Sequence, residues 1–458
     1  MASKHHMDMC NGPLFRKIIL FALPLIATAA LQQLFSAADM VIVGRFGSDA
    51  DMAAVGSCLP VCGLIVNIFF GISIGAGVIC ANGIGAKDKL RTSRSIHTAM
   101  MFAGIGGITL MVIGLISAKP VLIIMNTPDN VLDKAVWYMV IYCLGLPTLS
   151  LYAYGATLLR TMGDTKRPLY YLIFSGIVNI IANYILVVFF SMGAAGVSLA
   201  TALSFALSAV LVIRAMSGMP GAMKFKRTLL KIDWKIFREM LRIGLPAGIH
   251  GCLFAISNVV IQGAINSFGS TAMAGSAAAL NIETIIYAGS FSFNQAATSF
   301  AGQNMGAKKY DRVKRSAVYC IITSGVLVGS VGAVCTIFGR QLLSIYNPNP
   351  EIISKGMERA IAVFLSYGLC AIMDSISGTL RGMGKSFGPM LLSIFGVCFV
   401  RIVWVWSIFQ LHKTLSMLML SYPVSYAITI VLTGWMLKKE LAKYMEHKNS
   451  GYSTVAKV

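Results

Sequence analysis

The sequence predicts an all-α polytopic membrane protein with twelve transmembrane helices, arranged as two pseudo-symmetric six-helix lobes. Three observations indicate this class: the composition, the spacing of formal charges, and an internal repeat. Of the 458 residues, 57% are apolar and 12% are charged, which is about half the charged share of soluble globular proteins. An ordinary soluble fold is therefore excluded.

The first six helices follow from apolar runs with few or no Asp, Glu, Lys or Arg residues, because about 20 apolar residues cross the hydrocarbon core. Four runs that each accommodate one crossing lie near 16–43, 52–84, 95–118 and 134–157. The next run, between Arg167 and Arg214, has 46 residues. Because Ser191, Gly193 and Gly196 form a small-residue patch near its middle, it is predicted to hold two crossings joined by a tight turn.

The second six helices follow in the same way. The run from Arg242 to Glu283 is divided by a predicted turn at Asn266, Gly269 and Ser270. The span that follows this turn continues across Glu283 through the apolar run 284–307, and the remaining runs lie near 316–339, 358–380, 388–411 and 414–437. Twelve spans result, and no stretch remains for a soluble domain.

The distribution of basic residues predicts the orientation of the chain. The termini and the even-numbered connections hold 30 of the 38 Lys and Arg residues, and the odd-numbered connections hold 7. Since Lys and Arg are enriched on the cytoplasmic side, both termini are predicted to be cytoplasmic. The net charge of +21 is explained by this orientation, so no nucleic-acid partner is expected.

The chain repeats itself at an offset of 221 or 222 residues. The matching segments are Leu23-Pro24 and Leu245-Pro246, Gly85–Lys87 and Gly306–Lys308, and Leu159–Gly163 and Leu380–Gly384. We predict an N-lobe of residues 1–220 and a C-lobe of residues 221–458. Because six is even, both lobes enter the membrane from the same side and should be related by an axis along the membrane normal. In transporters built this way the substrate site lies near the midplane between the halves.

Pro24 and Pro246 occupy matching places within two apolar runs. Proline removes a backbone donor and kinks a helix, and broken helices in corresponding positions often border a transport site. We therefore predict that both prolines are hinges. The alternative is that proline is simply more frequent in membrane helices than in soluble ones.

Four charged residues lie within the predicted spans: Asp39, Glu283, Asp374 and Arg401. A charge at the bilayer centre costs about 2.5–3.5 kcal/mol on translocon scales, so such residues usually face a cavity and mark ion or substrate paths. Three of the four are acidic, which favours cations. Alternatively, Glu283 or Asp374 is paired with Arg401 or lies near a membrane interface.

Asn179 and Asn183 share one face of the fifth helix because they are four residues apart. Asparagine pairs in membrane helices more often make interhelical hydrogen bonds than ligand sites. With Asp39 and a threonine hydroxyl, however, they would provide hard oxygen ligands suited to Na⁺. The pattern alone leaves both interpretations open.

Several segments resemble the bacterial multidrug and toxic compound extrusion (MATE) transporters. They are Asp39–Gly44 (DMVIVG), Met52–Gly56 (MAAVG), Leu159–Asp164 (LRTMGD) and Ala301–Ala307 (AGQNMGA). The segments occur in order in both halves, and the resemblance extends over about residues 12 to 440. It implies the MATE fold, in which two six-helix lobes alternate between inward and outward openings.

The resemblance also implies site residues. Asp39 matches the acidic cation-coupling position of the first helix, and Asn179, Asn183 and Thr201 match N-lobe positions where one branch of the family has Asn, Asp and Thr. Asn183 departs from that pattern, which leaves Asp39 as the only acid of the four. A possible C-lobe site for cation or substrate comprises His250, Glu283, Asp374 and Arg401. Asp374 matches an acidic position of another branch, and His250 stands where that branch has Glu.

The function implied by the resemblance is secondary active efflux. A coupling ion, Na⁺ or H⁺, enters down its gradient while an amphipathic, cationic, drug-like compound leaves. Na⁺ would bind at Asp39, Asn179, Asn183 and Thr201, and no other cofactor is expected. The expected partners are small-molecule drugs and the lipid bilayer, and the protein is expected to be a monomer in the bacterial inner membrane.

Three alternative functions are weighed on the residues. A lipid-linked oligosaccharide flippase of the same superfamily would need several cavity Arg or Lys residues for its polyanionic substrate, and only Arg401 lies within a predicted span. A membrane-embedded enzyme would need a catalytic constellation at one depth, and the sequence shows none, so no enzymatic activity is expected. A channel is disfavoured by the paired proline-containing helices.

Overall fold

The computed structural model describes residues 7–125 and 127–449, and α-helices run through nearly all of them. The helices are α1 Leu14–Phe46, α2 Asp49–Gly85, α3 Lys89–Ile124, α4 Asp129–Thr161, α5 Lys166–Tyr184, α6 Gly193–Ser217, α7 Trp234–Asn266, α8 Ser270–Gly306, α9 Tyr310–Ile337, α10 Gly339–Ser344, α11 Pro350–Gly382, α12 Phe387–Ser393, α13 Val400–Trp406, α14 Ile408–Leu411, α15 Leu415–Met419 and α16 Ser421–Asn449. Two π-helical segments, Ile185–Phe189 and Ile394–Phe399, continue α5 and join α12 to α13. The predicted all-α class is confirmed.

Eleven stretches within the described parts of the chain are long and apolar enough to cross a membrane. Each corresponds to one of the predicted spans. The predicted eighth span, α8, is 37 residues long but is not among the eleven. It carries Glu283, Asn294 and Gln303, all of which are buried. The count of twelve is therefore consistent with the structure, with α8 as the most polar member.

The internal repeat is visible in the backbone. Helices α1 and α7 are each 33 residues long, α2 and α8 are each 37, and α4 and α11 are each 33. Lys87 and Lys308, 221 residues apart, have positive φ angles of 56° and 55°. Gly163 and Gly384, also 221 apart, have φ angles of 92° and 82°. Because a positive φ is uncommon outside glycine, the shared angles at two lysines support a duplicated backbone.

The chain forms two compact units. One contains Ala27–Leu241, and the other contains Asp8–Ile26 together with the chain from Arg242 onward. This division differs from the predicted lobe boundary at 220/221, which stays a prediction. It passes through α1 two residues after Pro24 and through α7 five residues before Pro246, so α1 and α7 each contribute to both units.

Each unit has its own apolar core. In the first unit the core includes Val43, Cys58, Tyr138 and Leu146, from α1, α2 and α4. In the second unit a core cluster joins α9, α11 and α16 through residues that include Val313, Leu380 and Leu437. The buried cysteines of both units are free thiols, as expected for small apolar core residues.

Candidate functional site

The four residues predicted to couple a cation lie together in the first unit. The Asn183 Nδ2 group donates a hydrogen bond to Asp39 Oδ1, and it lies 3.3 Å from Asn179 Oδ1. Asn179 Nδ2 in turn lies 3.5 Å from the Thr201 hydroxyl, which is also a hydrogen-bonding neighbour of Asp39. We call these four residues the Asp39 cluster.

Helix packing explains why the cluster forms. Phe35 and Asp39 are four residues apart on α1, and Gly176, Asn179 and Asn183 follow one face of α5. A Cβ atom at Gly176 would overlap the ring of Phe35. The missing side chain therefore lets α5 approach α1 closely, which brings Asn183 within hydrogen-bonding distance of Asp39.

The polar groups of the cluster suit a small cation. Asn179 and Asn183 are 5% and 0% exposed, whereas Asp39 is only partly buried. None of the ion pairs found among the described residues includes Asp39. The buried Asn183 Oδ1 atom also has no hydrogen-bond partner within those residues. The Asp39 carboxylate lacks a basic partner there, and the Asn183 amide oxygen lacks a donor. Binding of Na⁺ or a proton would supply the positive charge that balances the carboxylate.

The backbone next to the Asp39 cluster departs from regular α-helix. The π-helical segment Ile185–Phe189 begins two residues after Asn183. Single π-helical turns inside α-helices are rare and occur frequently at functional sites. The segment is a structural feature that apolar periodicity does not predict.

Asp374 and His250 belong to a network in the second unit. Asp374 Oδ2 accepts a hydrogen bond of 2.7 Å from the Ser290 hydroxyl, and its backbone carbonyl accepts one of 2.8 Å from Asn294. The Arg381 guanidinium lies 3.4 Å from both Asn294 Oδ1 and His250 Nδ1. The two predicted residues therefore share a network but do not contact each other directly.

Glu283 has a strong basic partner. Its Oε2 atom accepts hydrogen bonds of 3.1 and 2.7 Å from Arg359, and Oε1 accepts one of 2.9 Å from the Tyr367 hydroxyl. All three side chains are buried. The suggested pairing of Glu283 or Asp374 with Arg401 is therefore wrong, because Arg359 neutralises Glu283 and Ser290 binds Asp374.

Arg401 is fully buried and contacts neutral groups. Its Nε atom donates to the Ser425 hydroxyl at 3.1 Å and its Nη1 atom to Asn258 Oδ1 at 3.2 Å. The guanidinium carbon lies 4.0 Å from the centre of the Tyr422 ring. Arg401 therefore makes no ion pair with Glu283 or Asp374 among the described residues, although the centre of the Tyr422 ring also lies 5.7 Å from the guanidinium carbon of Arg359.

Two buried arginines of the second unit are not identified by the sequence pattern. Arg359 and Arg381 are 3% and 7% exposed, yet they stand at the two ends of the predicted span 358–380 and are assigned to the connections that flank it. Because α11 extends for 33 residues, more than the roughly 20 that cross the hydrocarbon core, both lie within the helix. The spacing along the chain does not indicate that Arg359 pairs with Glu283 or that Arg381 lies in the network of Asp374.

Comparison with known proteins decides the family. A family model described as MatE matches residues 24–185 and 246–406, one match in each half of the chain. The chain belongs to the MatE family. The predicted resemblance is thus confirmed, and this MatE protein is a multi-pass membrane protein.

Individual relatives cover most of the MatE chain. The "Probable multidrug resistance protein YoeA" of Bacillus subtilis is 28% identical over 428 residues, which are 91% of this chain and 92% of the relative. The "Probable multidrug resistance protein NorM" of Thermotoga maritima is 25% identical and covers 87% of both chains. A solved structure of a multidrug resistance MATE family transporter in an outward-facing conformation matches with a TM-score of 0.90 at 18% identity, over 97% of this chain and 100% of that one. The structural match confirms the two-lobe fold.

Proposed function

We propose that this protein is a secondary active multidrug efflux transporter of the bacterial inner membrane. It exchanges Na⁺ or H⁺ for amphipathic, cationic compounds, with both termini in the cytoplasm and the monomer as the working unit. The names of the relatives support multidrug transport. The observation that carries the cation coupling is the Asp39 carboxylate, which has only neutral polar partners among the described residues.

The coupling ion acts by neutralising Asp39. An ionised carboxylate in a partly dry site is unfavourable unless it is paired, so binding of a proton or Na⁺ stabilises the cluster. For Na⁺, the oxygens of Asn179, Asn183 and Thr201 would complete the ligand set. For H⁺, the protonated carboxyl group of Asp39 would need only the existing hydrogen bonds.

Neutralisation must favour one of two conformations for transport to follow. A ligand shifts a conformational equilibrium only by its difference in affinity between the states. Cation and drug must therefore prefer different states, with α1 bending near Pro24 as the moving element. The proline lies inside α1 and two residues from the division between the compact units.

Export of a lipid-linked oligosaccharide is the second candidate. Three arginines, Arg359, Arg381 and Arg401, are buried in the second unit, whereas the sequence showed only one. However, Glu283 neutralises Arg359 and the Asp374 network contains Arg381. Two of the three charges thus have acidic residues in their networks, and small-molecule efflux remains the better supported function.

The test uses proteoliposomes with a fluorescent cationic dye such as ethidium. In separate arms, an inward Na⁺ gradient or an inward proton gradient is imposed, and dye movement is followed against protein-free liposomes. We expect dye to move uphill in at least one arm, and to stop when an ionophore collapses that gradient. Dye that only equilibrates, with or without a gradient, contradicts coupled efflux. Movement of labelled oligosaccharide lipid without any dye movement favours the second candidate.

A further inference from the structure

The internal repeat relates the Asp39 cluster to a position in the second half of the chain. Pro168 and Pro389 match at an offset of 221, and Thr201 and Tyr422 stand at the same offset with different side chains. Between these two pairs the second half has its π-helical segment first, at Ile394–Phe399. Because a π turn closes at i+5 instead of i+4, it holds one extra residue.

With this extra residue the offset becomes 222, which is the spacing between Asn179 and Arg401. In the first half the π-helical segment comes later, at Ile185–Phe189, and returns the offset to 221 at Thr201 and Tyr422. Asn179 and Thr201 lie 3.5 Å apart, and the Arg401 guanidinium likewise lies 4.0 Å from the Tyr422 ring centre. The counterpart of a cation-suited pair thus carries a positive charge.

Three aromatic rings surround the Arg401 guanidinium. Besides Tyr422, the rings of Tyr426 and Phe254 have their centres 5.2 and 5.3 Å from its guanidinium carbon. Its hydrogen-bond acceptors are Ser425 Oγ and Asn258 Oδ1, and the Tyr426 hydroxyl is a further polar neighbour. Gly396 permits this packing, because a Cβ atom there would overlap Thr429 of α16.

The charge of Arg401 is not balanced within the described part of the chain. No ion pair found there includes it, although the side chain is 0% exposed. Its Nη2 atom is buried without a hydrogen-bond partner among the described residues. Aromatic rings and neutral oxygens offset only part of the desolvation of a buried cation, so an anion would stabilise this site.

We propose that Arg401 forms an anion-binding site for the carboxylate or phosphate group of an organic molecule. The planar guanidinium binds such oxyanions through two parallel N–H groups, and Nη1 and Nη2 are the pair available here. Asn258 occupies Nη1 with a neutral oxygen, and its own side chain is exposed on α7. Displacement of Asn258 therefore opens the site. The surrounding rings favour an aromatic or apolar body attached to the anion.

This proposal goes beyond cation-coupled efflux and does not depend on it, because binding is measured without transport. Purified full-length protein in detergent is unfolded thermally in the presence of increasing benzoate or of benzamide, its uncharged counterpart. A ligand that binds the folded state raises the unfolding midpoint in a concentration-dependent way. We expect benzoate to raise the midpoint and benzamide to leave it unchanged.

The decisive variant is Asn258→Asp, which places a carboxylate of the chain itself beside Arg401. It should unfold at the same or a higher temperature than the natural protein, and it should lose the benzoate response. The matched variant Asn258→Ala removes the neutral competitor and should keep the response. Arg401→Gln should weaken benzoate binding by about tenfold or more, the loss expected for a charge-assisted hydrogen bond. Asn258→Asp remains informative where Arg401→Gln fails to fold.

Two further arms identify the source of the anion. Inorganic phosphate replaces benzoate in one, and bilayers of phosphatidylglycerol or phosphatidylcholine replace detergent in the other. A midpoint raised by phosphatidylglycerol alone, and lost in Asn258→Asp, assigns the site to lipid phosphate. Equal effects of benzoate and benzamide, a benzoate response that survives in Asn258→Asp, or no response in any arm overturns the proposal. Asp39→Asn should respond to benzoate like the natural protein, which separates this site from the coupling site.

Discussion

The two units differ in the partners that surround their buried or partly buried charged side chains. In the first unit, the Asp39 cluster surrounds one carboxylate with amides and a hydroxyl. In the second unit, Glu283 is neutralised by Arg359, while Arg401 stands among rings and neutral oxygens. Among the described residues, the first unit thus contains a partly buried acid without a basic partner, and the second contains a buried base without an acidic partner.

This difference separates what the duplicated backbone determines from what single side chains determine. The left-handed residues Lys87 and Lys308 and the matched helix lengths are shared by both halves. The charge at the helix-five position is not shared. A repeated scaffold can therefore carry a cation-suited site and an anion-suited site, because a few substitutions change the chemistry without changing the helix packing.

The largest expected effect comes from Asp39→Asn compared with Asp374→Asn. Asp39→Asn removes the charge that a coupling cation neutralises, so dye efflux should lose its dependence on the imposed gradient. The dependence lost is expected to be about 5- to 150-fold, the usual range of coupling between two ligands. Asp374→Asn should retain gradient-driven efflux, because an amide oxygen can still accept the Ser290 hydrogen bond. The measurement is dye efflux in proteoliposomes, and equal losses in both variants would remove the contrast between the units.

The second effect concerns stability and is expected to be opposite in sign for two acids. Glu283→Gln leaves Arg359 buried without its counter-charge, which should lower the free energy of unfolding by about 3–5 kcal/mol. Asp39→Asn removes an ionised group that has no basic partner in the described part of the chain, so it should leave the unfolding midpoint equal or higher. Thermal unfolding in detergent measures both.

The double variant Glu283→Leu with Arg359→Met serves as the control for the buried pair. Replacing both partners by apolar residues of similar volume is often neutral or stabilising. Most of the stability lost in Glu283→Gln should therefore return. A double variant as unstable as the single one would show that the contact of Tyr367, and not the ion pair, determines the stability.

A third variant tests whether the close packing of α5 against α1 is needed for the Asp39 cluster to bind a cation. Gly176→Val places a side chain where the Phe35 ring lies, and overpacking of this kind costs about 1–3 kcal/mol. The α5 helix should move away from α1, so the cation dependence of efflux should fall. Gly63→Val is the matched control in the same unit, because a Cβ atom at Gly63 meets no atom within 4 Å. Similar losses in the two variants would mean that valine disturbs the helices in general.

The smallest expected effect distinguishes Na⁺ from H⁺ at the cluster. Thr201→Val removes one oxygen ligand, whereas Thr201→Ser keeps it. If Na⁺ binds there, Thr201→Val should raise the Na⁺ concentration needed for half-maximal efflux by about two- to tenfold, as expected for one hydrogen-bond-sized interaction. Proton-driven efflux should be unchanged. An identical Na⁺ requirement in Val and Ser variants would exclude Thr201 as a ligand.

The sequence predicts much of this fold because membrane-spanning helices have a clear sequence pattern. A lipid environment requires backbone hydrogen bonds to be satisfied within each segment, so long apolar runs report helices directly, and repeated segments report the duplication. The shared helix face grouped only Asn179 with Asn183, and the resemblance to the MATE transporters added Thr201 and the cation-coupling role of Asp39. The close packing of α5 against α1 depends on Gly176 and Phe35, which no periodicity connects.

The hydrogen-bond and ion-pair networks of the second unit could not be predicted from the sequence, for a different reason. Arg359 and Arg381 stand at the two ends of a predicted span, and only the tertiary structure shows that their side chains are buried. The shift that aligns Arg401 with Asn179 depends on a π-helical turn, whose extra residue looks like an ordinary insertion in a sequence. Pairing across helices is decided by packing of distant segments, which residue spacing does not report.

The most direct test of the central role of Asp39 is the effect of cation on drug affinity, measured without transport. Dye binding to purified protein is followed by fluorescence across a range of Na⁺ concentrations, and separately across pH. If Asp39 holds the coupling ion, the natural protein should bind dye more weakly as the coupling ion increases, because the two ligands prefer different states. The Asp39→Asn variant should bind dye with one affinity throughout. An undiminished cation dependence in Asp39→Asn would show that the coupling ion binds elsewhere.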